Sequence, residues 1–403
     1  MTETPLRILL ASPAYWPARA FGGPVVVARE LVARLVERGH TVDVVTTTLV
    51  DLEHRPGAGS SRAVVDGATV RYVGTPLHYR WMGITPTLPA ELHRLGRHAR
   101  PDVAHVFGFR DPVTTVAAAW CRRRSVSYVF EPLGMFRPRL RKVRLKGALD
   151  ASLYRGVAAG AALVIAASAR ERDDIVACGV PGDRVRVRGN GFPEPPDPSA
   201  PLARDLRGEL GIAADAPIVL YVGRIAAGKG IEHLLAAARA LPDLQVVLAG
   251  PDDRHGVTGL VQAAQAEAAT AGRVHLLPQS EAPPTDLYRQ ATVFVLASAG
   301  ESFGMVAAEA AAAGTPVVVS DRCGIAGFFR AGEALVVAET DEAVVGAVRE
   351  VLEDPGLRAR LARGGVEAAR RQSWDHVTDV QEELYRGAIA SRIAATKLST
   401  LGS

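Results

Sequence analysis

The sequence predicts a two-domain α/β protein in which each domain is built on a largely parallel, doubly wound sheet. Short β-branched runs alternate with helical stretches in both halves of the 403-residue chain, which is typical of strand–helix–strand units. The length suits two domains of about 200 residues each. Between the halves lies NGFPEPPDPSAP (190–201), whose five prolines forbid a continuous helix and stiffen the link.

Six strands are predicted in the first half, each from a short apolar run bounded by polar or turn residues. They are RILLAS (7–12), TVDVVTT (41–47), DVAHVF (102–107), VSYVF (126–130), ALVIAAS (162–168) and RVRVR (184–188). Helical patterns fill the gaps. The clearest is VVVARELVARLVERG (25–39), in which apolar residues recur at helical spacing.

Five further strands are predicted in the second half. They are PIVLYVG (217–223), LQVVLAG (244–250), RVHLLP (273–278), TVFVLAS (292–298) and TPVVVS (315–320). A long helical tract, 373–393, follows them.

The predicted domains are an N-terminal one over 1–192 and a C-terminal one over 202–372. A C-terminal helix over about 373–395 is expected to cross back onto the first domain. Two sheets facing each other across a linker leave a cleft, and open α/β sheets bind ligands beyond the carboxyl ends of their strands. The cleft is therefore the predicted ligand site.

Composition narrows the protein class. Residues 1–199 carry 28 Lys and Arg against 18 Asp and Glu, whereas 200–403 carry 19 against 25, which hints at different partners for the two halves. The three cysteines are far apart, without disulfide or metal-ligand spacing, and suit a reducing cytoplasm. We find neither a signal-peptide pattern nor a membrane-length apolar run, and expect a cytoplasmic protein.

The densest functional candidates lie in ESFGMVAAEAAAAGTPVV (301–318), directly after the predicted strand 292–298. Glu301 and Glu309 flank seven residues, and residues 302–304 are predicted to begin a helix whose free N–H groups can hold a phosphate or a sugar hydroxyl. Glu309, further along the helix, can accept both hydroxyls of a ribose. The two glutamates alone are also compatible with a structural role, because acidic side chains near the start of a helix interact favourably with the helix dipole.

A second candidate segment is YVGRIAAGKGIEHLL (221–235). It places Arg224 just past a strand and Lys229 five residues later, before a helix. Two cations at the carboxyl end of a strand suit a diphosphate, although Arg-x4-Lys alone is also compatible with solvated loop cations. Near the N-terminus, Gly22 and Gly23 allow close backbone approach to a phosphate or sugar, or mark a tight loop.

Together these segments resemble the retaining family 4 glycosyltransferases, the glycosyl transferases group 1, which have the GT-B fold of two facing Rossmann-like domains. The resemblance rests on the E-x7-E string with its FGMVAAE core and the AAGTPVV that follows, on GRIAAGKG, and on the FGG…GHTV opening. It spans most of residues 7–385. The donor-site residues it implies are Gly22, Gly23, Arg224, Lys229, Pro251, Glu301, Ser302, Phe303, Gly304, Met305 and Glu309.

The resemblance also implies roles for these residues. Arg224 and Lys229 neutralise the diphosphate as the nucleoside diphosphate leaves, and Glu301 binds sugar hydroxyls beside the backbone amides of Phe303–Met305. Glu309 binds the ribose. Glu301, Arg224 and Lys229 are the predicted catalytic residues, and the donor is a UDP- or GDP-sugar.

The chain departs from the family pattern at two places. The usual D-V-V-H-x-H reads DVAHVFG here, which keeps His105 but puts Phe107 at the second histidine; a His-Gly after the next strand is replaced by Leu133-Gly. No catalytic base is therefore assigned, because in retaining transfer the departing phosphate oxygen can accept the acceptor's proton. His105 and Glu131 are candidate acceptor-binding residues, although a lone strand histidine is more often a core residue.

Neither a metal motif nor a dinucleotide fingerprint is present. Asp-x-Asp is missing where a divalent ion would hold the diphosphate, so we expect a metal-independent enzyme without a cofactor, as the resemblance implies. The first strand is followed by SPAYWPARAFGG and not by G-x-G-x-x-G, which argues against a dehydrogenase.

The acceptor side is marked by RPRLRKVRLK (137–146), which has six basic residues and no acid. This run is compatible with a solvated helix face, with a phosphate-bearing acceptor, to which Arg137 would bind, or with peripheral contact to an anionic membrane carrying a lipid-linked acceptor. Aromatic residues are scarce around it, so nucleic-acid binding is not expected.

The functional prediction is a retaining glycosyltransferase that moves a sugar from a nucleotide sugar to an acceptor hydroxyl of a glycan, a lipid-linked saccharide or a small glycoside. Two alternatives stay open. One is a nucleotide-sugar epimerase of the same fold, and the other is a non-catalytic, sugar-nucleotide-binding partner subunit, favoured by Phe107 and Leu133 at the two departures.

Overall fold

The computed structural model describes residues 4–51, 54, 57–136, 155–252, 257–278, 280 and 284–401. The chain divides into two compact units. Unit 1 comprises Met1–Arg188 and Trp374–Ser403, and unit 2 comprises Gly189–Ser373. Each unit has its own parallel sheet, so the predicted α/β class is observed in both halves.

The described part of unit 1 contains ten strands. They are β1 (Arg7–Ala11), β2 (Thr41–Thr47), β3 (Ser61–Val65), β4 (Ala68–Val73), β5 (Leu77–Tyr79), β6 (Met82–Ile84), β7 (Val103–Phe107), β8 (Ser127–Glu131), β9 (Leu163–Ala166) and β10 (Val185–Val187). Eight form one sheet in the order β10-β9-β8-β7-β1-β2-β4-β3, which is parallel except for the pair β3–β4. Strands β5 and β6 form a separate antiparallel hairpin.

Helices connect the strands of unit 1. Those before the linker are α1 (Gly23–Glu37), α2 (Leu88–His98), α3 (Pro112–Arg123), α4 (Arg155–Gly160) and α5 (Ala169–Ala177). Local sequence sets their starts: α3 begins after Asp111, whose carboxylate accepts the N–H of Val113, and α5 begins after Ser168, whose hydroxyl accepts the N–H of Glu171. Both are side-chain N-caps, which satisfy backbone donors that have no partner inside the helix.

The described part of unit 2 is a six-stranded, fully parallel sheet. Its strands are β11 (Ile218–Val222), β12 (Gln245–Ala249), β13 (Val274–Leu277), β14 (Val293–Leu296), β15 (Val317–Ser320) and β16 (Leu335–Val337). Their order is β13-β12-β11-β14-β15-β16. The central strands are apolar along their whole length because helices cover both faces of a parallel sheet.

The helices of unit 2 are α6 (Leu206–Leu210), α7 (Ile231–Ala240), α8 (Val257–Ala266), α9 (Thr285–Gln290), α10 (Met305–Ala312), α11 (Asp341–Glu353) and α12 (Pro355–Arg371). A last helix, α13 (Trp374–Leu401), belongs to unit 1. Among the described residues, no helix is both long enough and apolar enough to cross a membrane.

All eleven predicted strands are present, with ends displaced by at most two residues. The sequence reading missed β3, β4, β5, β6 and β16. Strand β3 is exposed along almost its whole length, and β5, β6 and β16 have three residues each, so none of these four produces a sustained apolar run.

Polar contacts with two elements of unit 1, strand β8 and helix α1, hold helix α13 in place. The Ser127 hydroxyl, on β8, donates to the carbonyl oxygen of Ala388 at 2.6 Å. Arg38, at the end of α1, donates to carboxylate oxygens of Asp379 at 2.5 Å and Glu382 at 2.9 Å. These bonds hold the last helix of the chain against its first helix and a central strand.

Unit 1 contains a buried ion pair. Both guanidinium NH groups of Arg188, just after β10, donate to the Glu131 carboxylate at the end of β8, each at 2.9 Å. Arg188 also donates to the side-chain oxygen of Gln381 on α13 at 2.7 Å. The Arg188 and Glu131 side chains are both 0% exposed. Their bidentate geometry compensates for the loss of hydration.

Replacing Arg188 with methionine tests this pair. Arg188→Met leaves the Glu131 carboxylate buried without its cation, so we expect the free energy of unfolding of unit 1 to fall by about 3–5 kcal/mol. Urea unfolding followed by far-UV circular dichroism measures it. Arg186→Met, an exposed position two residues earlier, is the matched control and should change stability by less than about 0.5 kcal/mol. Equal effects of the two substitutions would contradict the assigned role.

Candidate active site

The loops that follow β11 and β14 lie in direct contact, and this contact builds the candidate site in unit 2. Gly230 has a φ of 74°, and a Cβ at this position would lie 2.1 Å from the carbonyl oxygen of Ala297. The carbonyl of Gly228 accepts the N–H of Ala299 at 3.0 Å and the Ser298 hydroxyl at 2.9 Å. Only a glycine at position 230 permits so close an approach.

This packing brings Lys229 and Glu301 together. The Lys229 ammonium forms an ion pair with Oε1 of Glu301, and the two side chains are 29% and 23% exposed. The pair thus stands at the carboxyl ends of the adjacent strands β11 and β14, where open parallel sheets bind ligands. Partial exposure leaves both groups within reach of a ligand from solvent.

Arg224 and Pro251 lie at the carboxyl ends of β11 and β12. The side chain of Arg224 is exposed, and its carbonyl oxygen accepts the Tyr221 hydroxyl at 2.8 Å. The carbonyl oxygen of Pro251 accepts the N–H of Ile225 at 2.9 Å. The loop carrying Arg224 is therefore fixed at its backbone.

Residues 301–304 form the loop that leads into α10. The carbonyl of Glu301 accepts the N–H of Gly324 at 3.1 Å, and that of Phe303 accepts the N–H of Ile325 at 2.9 Å. The Phe303 ring is buried among other rings of unit 2, including Phe328. The backbone of this segment, and not the Phe303 side chain, is therefore what the geometry offers to a ligand.

The predicted helix start is wrong by a few residues. Ser302, Phe303 and Gly304 were predicted to begin the helix, but α10 begins at Met305 and Gly304 is its N-cap. Gly304 has a φ of 115°, a left-handed conformation that breaks the helix before Met305. The N–H groups of Met305 and Val306 are in the first turn, where no intrahelical acceptor exists.

Glu309 lies one turn into α10, among alanines. Its Oε2 accepts the hydroxyl of Tyr288, on α9, at 2.8 Å. Burial raises the pKa of Glu309 to about 7, and the Tyr288 hydrogen bond only partly opposes this shift. No hydrogen bond to its second oxygen occurs within the described part of the chain, so Glu309 keeps acceptor capacity for a ligand.

Gly22 and Gly23 belong to unit 1, at the start of α1. Gly22 is the N-cap residue, with a φ of 73°, and Gly23 and Pro24 are the first two helical residues. No atom lies within 4 Å of a Cβ built on Gly22, so glycine is favoured there by its backbone conformation and not by crowding. Their part in donor binding stays a prediction.

His105 and Glu131, the predicted acceptor-binding candidates, are buried. Nδ1 of His105 lies 2.9 Å from the Tyr385 hydroxyl, and its Nε2 lies 3.2 Å from Glu131 Oε2. Burial lowers the pKa of His105, with Glu131 opposing the shift; burial raises the pKa of Glu131, but Arg188 and His105 lower it by more. Both side chains are engaged inside unit 1, which is the arrangement of a structural cluster.

The remaining predicted acceptor residue, Arg137, lies outside the described residues, as does the whole basic run 137–146. At the two departures from the family pattern, Phe107 is buried and Leu133 has a φ of 56°. Across the described ranges, no group of three His, Cys, Asp or Glu side chains is arranged to hold a metal ion.

Two residues of the site were missed by the sequence reading. Tyr288 contacts Glu309, and Ser298 links the loops after β11 and β14. Tyr288 lies in LYRQ, just before the predicted strand 292–298, and a tyrosine at helical spacing there indicates only a core position. The contact with Glu309 depends on a helix pairing that the sequence does not reveal.

Two family models match the chain in succession. "Glycosyl transferase 4-like domain" matches residues 22–191, and "Glycosyl transferases group 1" matches residues 203–367. Together they leave only the ends of the chain and the proline-rich segment unmatched.

Curated relatives are about one-third identical to this chain over the segments that align. D-inositol 3-phosphate glycosyltransferase of Xylanimonas cellulosilytica is 36% identical over 249 residues, and alpha-maltose-1-phosphate synthase of Mycolicibacterium smegmatis is 35% identical over 246. The matches cover 59% and 55% of this chain, and the chain spans 60% and 62% of the length of those proteins.

Solved structures with the same fold cover almost the whole chain. Sucrose-phosphate synthase from Thermosynechococcus elongatus has a TM-score of 0.72 at 23% identity, covering 96% of this chain and 100% of that one. The catalytic domain of starch synthase IV from Arabidopsis thaliana has a TM-score of 0.73 at 15% identity, with the same coverage. Anabaena HepE has a TM-score of 0.70 at 17% identity, covering 94% of this chain and 99% of that one. The predicted GT-B fold class is confirmed.

The raised pKa of Glu309 makes stability depend on pH. The folded protein holds this proton up to about pH 7, whereas the unfolded chain releases it near the ordinary value of 4.5. The stabilisation is therefore complete below pH 4.5 and is lost as the pH rises through 7. Relative to Glu309→Gln, the wild type should lose about 1–3 kcal/mol of unfolding free energy between pH 5 and 8.

Urea unfolding of both proteins at pH 5, 6, 7 and 8 measures this difference. Glu350→Gln, at an exposed position on α11, is the matched control and should follow the wild type at every pH. A wild-type minus Glu309→Gln difference that stays constant across the range would rule out titration of Glu309 in the folded state.

Proposed function

Because the chain belongs to the family 4 glycosyltransferases, the glycosyl transferases group 1, we propose that it transfers a sugar, with retained configuration, from a UDP- or GDP-sugar to an acceptor hydroxyl. The observation that carries the proposal is the Lys229–Glu301 pair at the carboxyl ends of β11 and β14, one loop away from the start of α10. A cation, a carboxylate and helix N–H groups at one sheet edge suit a diphosphate linked to a sugar.

In this proposal Lys229 and Arg224 bind the diphosphate. Lys229 exchanges its contact with Glu301 for the phosphate oxygens when the donor enters, and the exposed Arg224 closes on the same group. Both cations stabilise the negative charge that develops as the nucleoside diphosphate leaves. Electrostatic stabilisation of this kind contributes about 10²–10³ in kcat for each well-placed donor.

The acids and the loop backbone bind the rest of the donor. Once Lys229 turns to the phosphates, Glu301 is available to accept sugar hydroxyls, next to the backbone of Phe303–Met305. Glu309, with one oxygen held by Tyr288, accepts the ribose hydroxyls with the other.

The chemical step needs no protein base. The C–O bond between the sugar and the diphosphate breaks while the acceptor oxygen forms a bond on the same face of the sugar, and the departing phosphate oxygen takes the acceptor's proton. This route fits the burial of His105 and Glu131, which are engaged with Tyr385 and Arg188. No metal or cofactor takes part in the proposed reaction.

The relatives guide the choice of substrates. The structure of Anabaena HepE contains UDP, and that of a trehalose-6-phosphate synthase contains UDP-2-fluoro glucose, which favours UDP over GDP as the first nucleotide to test. D-inositol 3-phosphate is in the name of one curated relative. Sugar or cyclitol phosphates therefore belong in the first acceptor screen, beside lipid-linked saccharides in anionic vesicles.

Thermal unfolding tests the donor site. With UDP or GDP at 100 times its dissociation constant and no added metal, the melting temperature should rise by about 5 °C, because the ligand binds only the folded state. Lys229→Met and Glu309→Ala should each weaken nucleotide binding about tenfold or more. Arg349→Met and Glu350→Ala, exposed on α11, are the matched controls. No rise with any nucleotide would exclude the proposed donor site.

Turnover separates the proposal from its two alternatives. A transferase releases the nucleoside diphosphate faster when a suitable acceptor is present, and Lys229→Met should lower kcat about 100-fold. An epimerase instead changes the configuration of the sugar, and a non-catalytic subunit binds nucleotide without releasing products. Chromatography of nucleotides and labelled sugar distinguishes the three, and binding without any turnover across the acceptor panel would favour the subunit.

A further inference from the structure

Helix α9 carries a buried tyrosine whose only polar contact through its hydroxyl, within the described chain, is with Glu309. The Tyr288 side chain is almost completely buried, its hydroxyl donates to Oε2 of Glu309 at 2.8 Å, and its ring packs edge-on against Phe294. A buried polar group without a hydrogen-bond partner costs free energy, so the contact satisfies both the Tyr288 hydroxyl and the Glu309 carboxylate.

We propose that Tyr288 is a positioning residue for the donor: its hydroxyl holds one oxygen of the Glu309 carboxylate, so that the second oxygen faces the ribose hydroxyls of the nucleotide sugar. The inference rests on the proposed function, because it gives Tyr288 a role in binding the same donor. It adds to that function a residue that lies outside the motifs recognised in the sequence.

The backbone of α9 is fixed without help from the Tyr288 hydroxyl. Asp286 Oδ2 accepts the N–H groups of Ala203 and Arg204 at 2.8 and 3.0 Å, and Gln290 Oε1 accepts the N–H of Leu206 at 3.0 Å. The Thr315 hydroxyl donates to the carbonyl oxygen of Tyr288 at 2.7 Å. Removal of the hydroxyl alone should therefore leave the helix and the ring in place.

The contact also sets the charge state of Glu309. Helix α10 packs against α9, α12, β14, β15 and the 3₁₀ helix Gly324–Phe328, and among the described residues of these elements the Tyr288 hydroxyl is the one group that shifts the Glu309 pKa. Burial raises this pKa to about 7, and the hydrogen bond from Tyr288 lowers it. Only the ionised carboxylate offers acceptors on both oxygens, and a diol needs such acceptors. By donating a hydrogen bond to the Glu309 carboxylate, Tyr288 stabilises this ionised form.

Tyr288→Phe removes one oxygen atom and keeps the ring. Without the hydrogen bond, a larger fraction of Glu309 is protonated at neutral pH. We expect binding of UDP-glucose, with GDP-mannose as the guanine counterpart, to weaken about fivefold at pH 7 and to approach the wild-type value at pH 8.5 and above. The midpoint of the binding-versus-pH curve should move up by about one pH unit.

Titration calorimetry from pH 5.5 to 9 measures binding, since the diphosphate of a sugar nucleotide is esterified at both ends and does not titrate in this range. Tyr128→Phe is the matched control: Tyr128 is a buried tyrosine of unit 1 whose hydroxyl donates to Val157 O at 2.6 Å. Loss of that hydroxyl should lower stability without moving the pH curve.

A second readout needs no nucleotide. The pH-dependent loss of stability caused by Glu309 should shift to higher pH in Tyr288→Phe and disappear when Glu309→Gln is added. If Tyr288→Phe binds like the wild type, or is weakened by the same factor at every pH, the positioning role is overturned while the donor site stands. If the wild type binds no sugar nucleotide, the donor site and the positioning role both fall, and the stability shift alone would report a structural hydrogen bond.

Discussion

The close contact between the loops after β11 and β14 is the constraint on which the candidate site depends. A parallel sheet places the carboxyl ends of these neighbouring strands side by side, but their side chains meet only if the backbones approach within van der Waals distance. The left-handed Gly230, with no Cβ to strike the Ala297 carbonyl, permits this. The bonds from Ala299 and Ser298 to Gly228 then fix the two loops, and the Lys229–Glu301 pair follows from that fit.

The fold could be predicted well from the sequence, and for a physical reason. Strands buried on both faces of a parallel sheet need continuous apolar runs. The run IVLYV of β11 is such a run, so the strand can be predicted from the local sequence alone. Apart from β4, which lies between β2 and β3, the strands that were missed lie at an edge or outside the main sheets, as β3, β16 and the β5–β6 hairpin do. There only one face, or neither, is buried, and no apolar run is required.

The candidate site could be predicted in its residue types but not in its contacts. The motif strings named Lys229 and Glu301, yet their pairing depends on β11 and β14 being neighbours, which involves residues 72 positions apart. The helix starts later than predicted because Gly304 has a left-handed conformation, so the first helical residue is Met305. The role of Tyr288 could not be predicted from the sequence, because a tyrosine before a strand is usually an ordinary core residue. Only the structure shows that its hydroxyl contacts a carboxylate.

Three glutamates of this protein show how partners, more than burial, distinguish a structural acid from a functional one. Glu131 faces Arg188 through two hydrogen bonds, and that cation lowers its pKa despite complete burial. Glu171 accepts the backbone N–H groups of Ala167 and Gly134, one on each carboxylate oxygen, and burial raises its pKa to about 7. Burial raises the pKa of Glu309 to the same value, but Glu309 has one described partner, Tyr288, so that only one of its two oxygens is engaged. A buried acid with a hydrogen bond to only one of its two oxygens lowers the stability of the fold. Such a loss of stability is expected where the free oxygen binds a ligand.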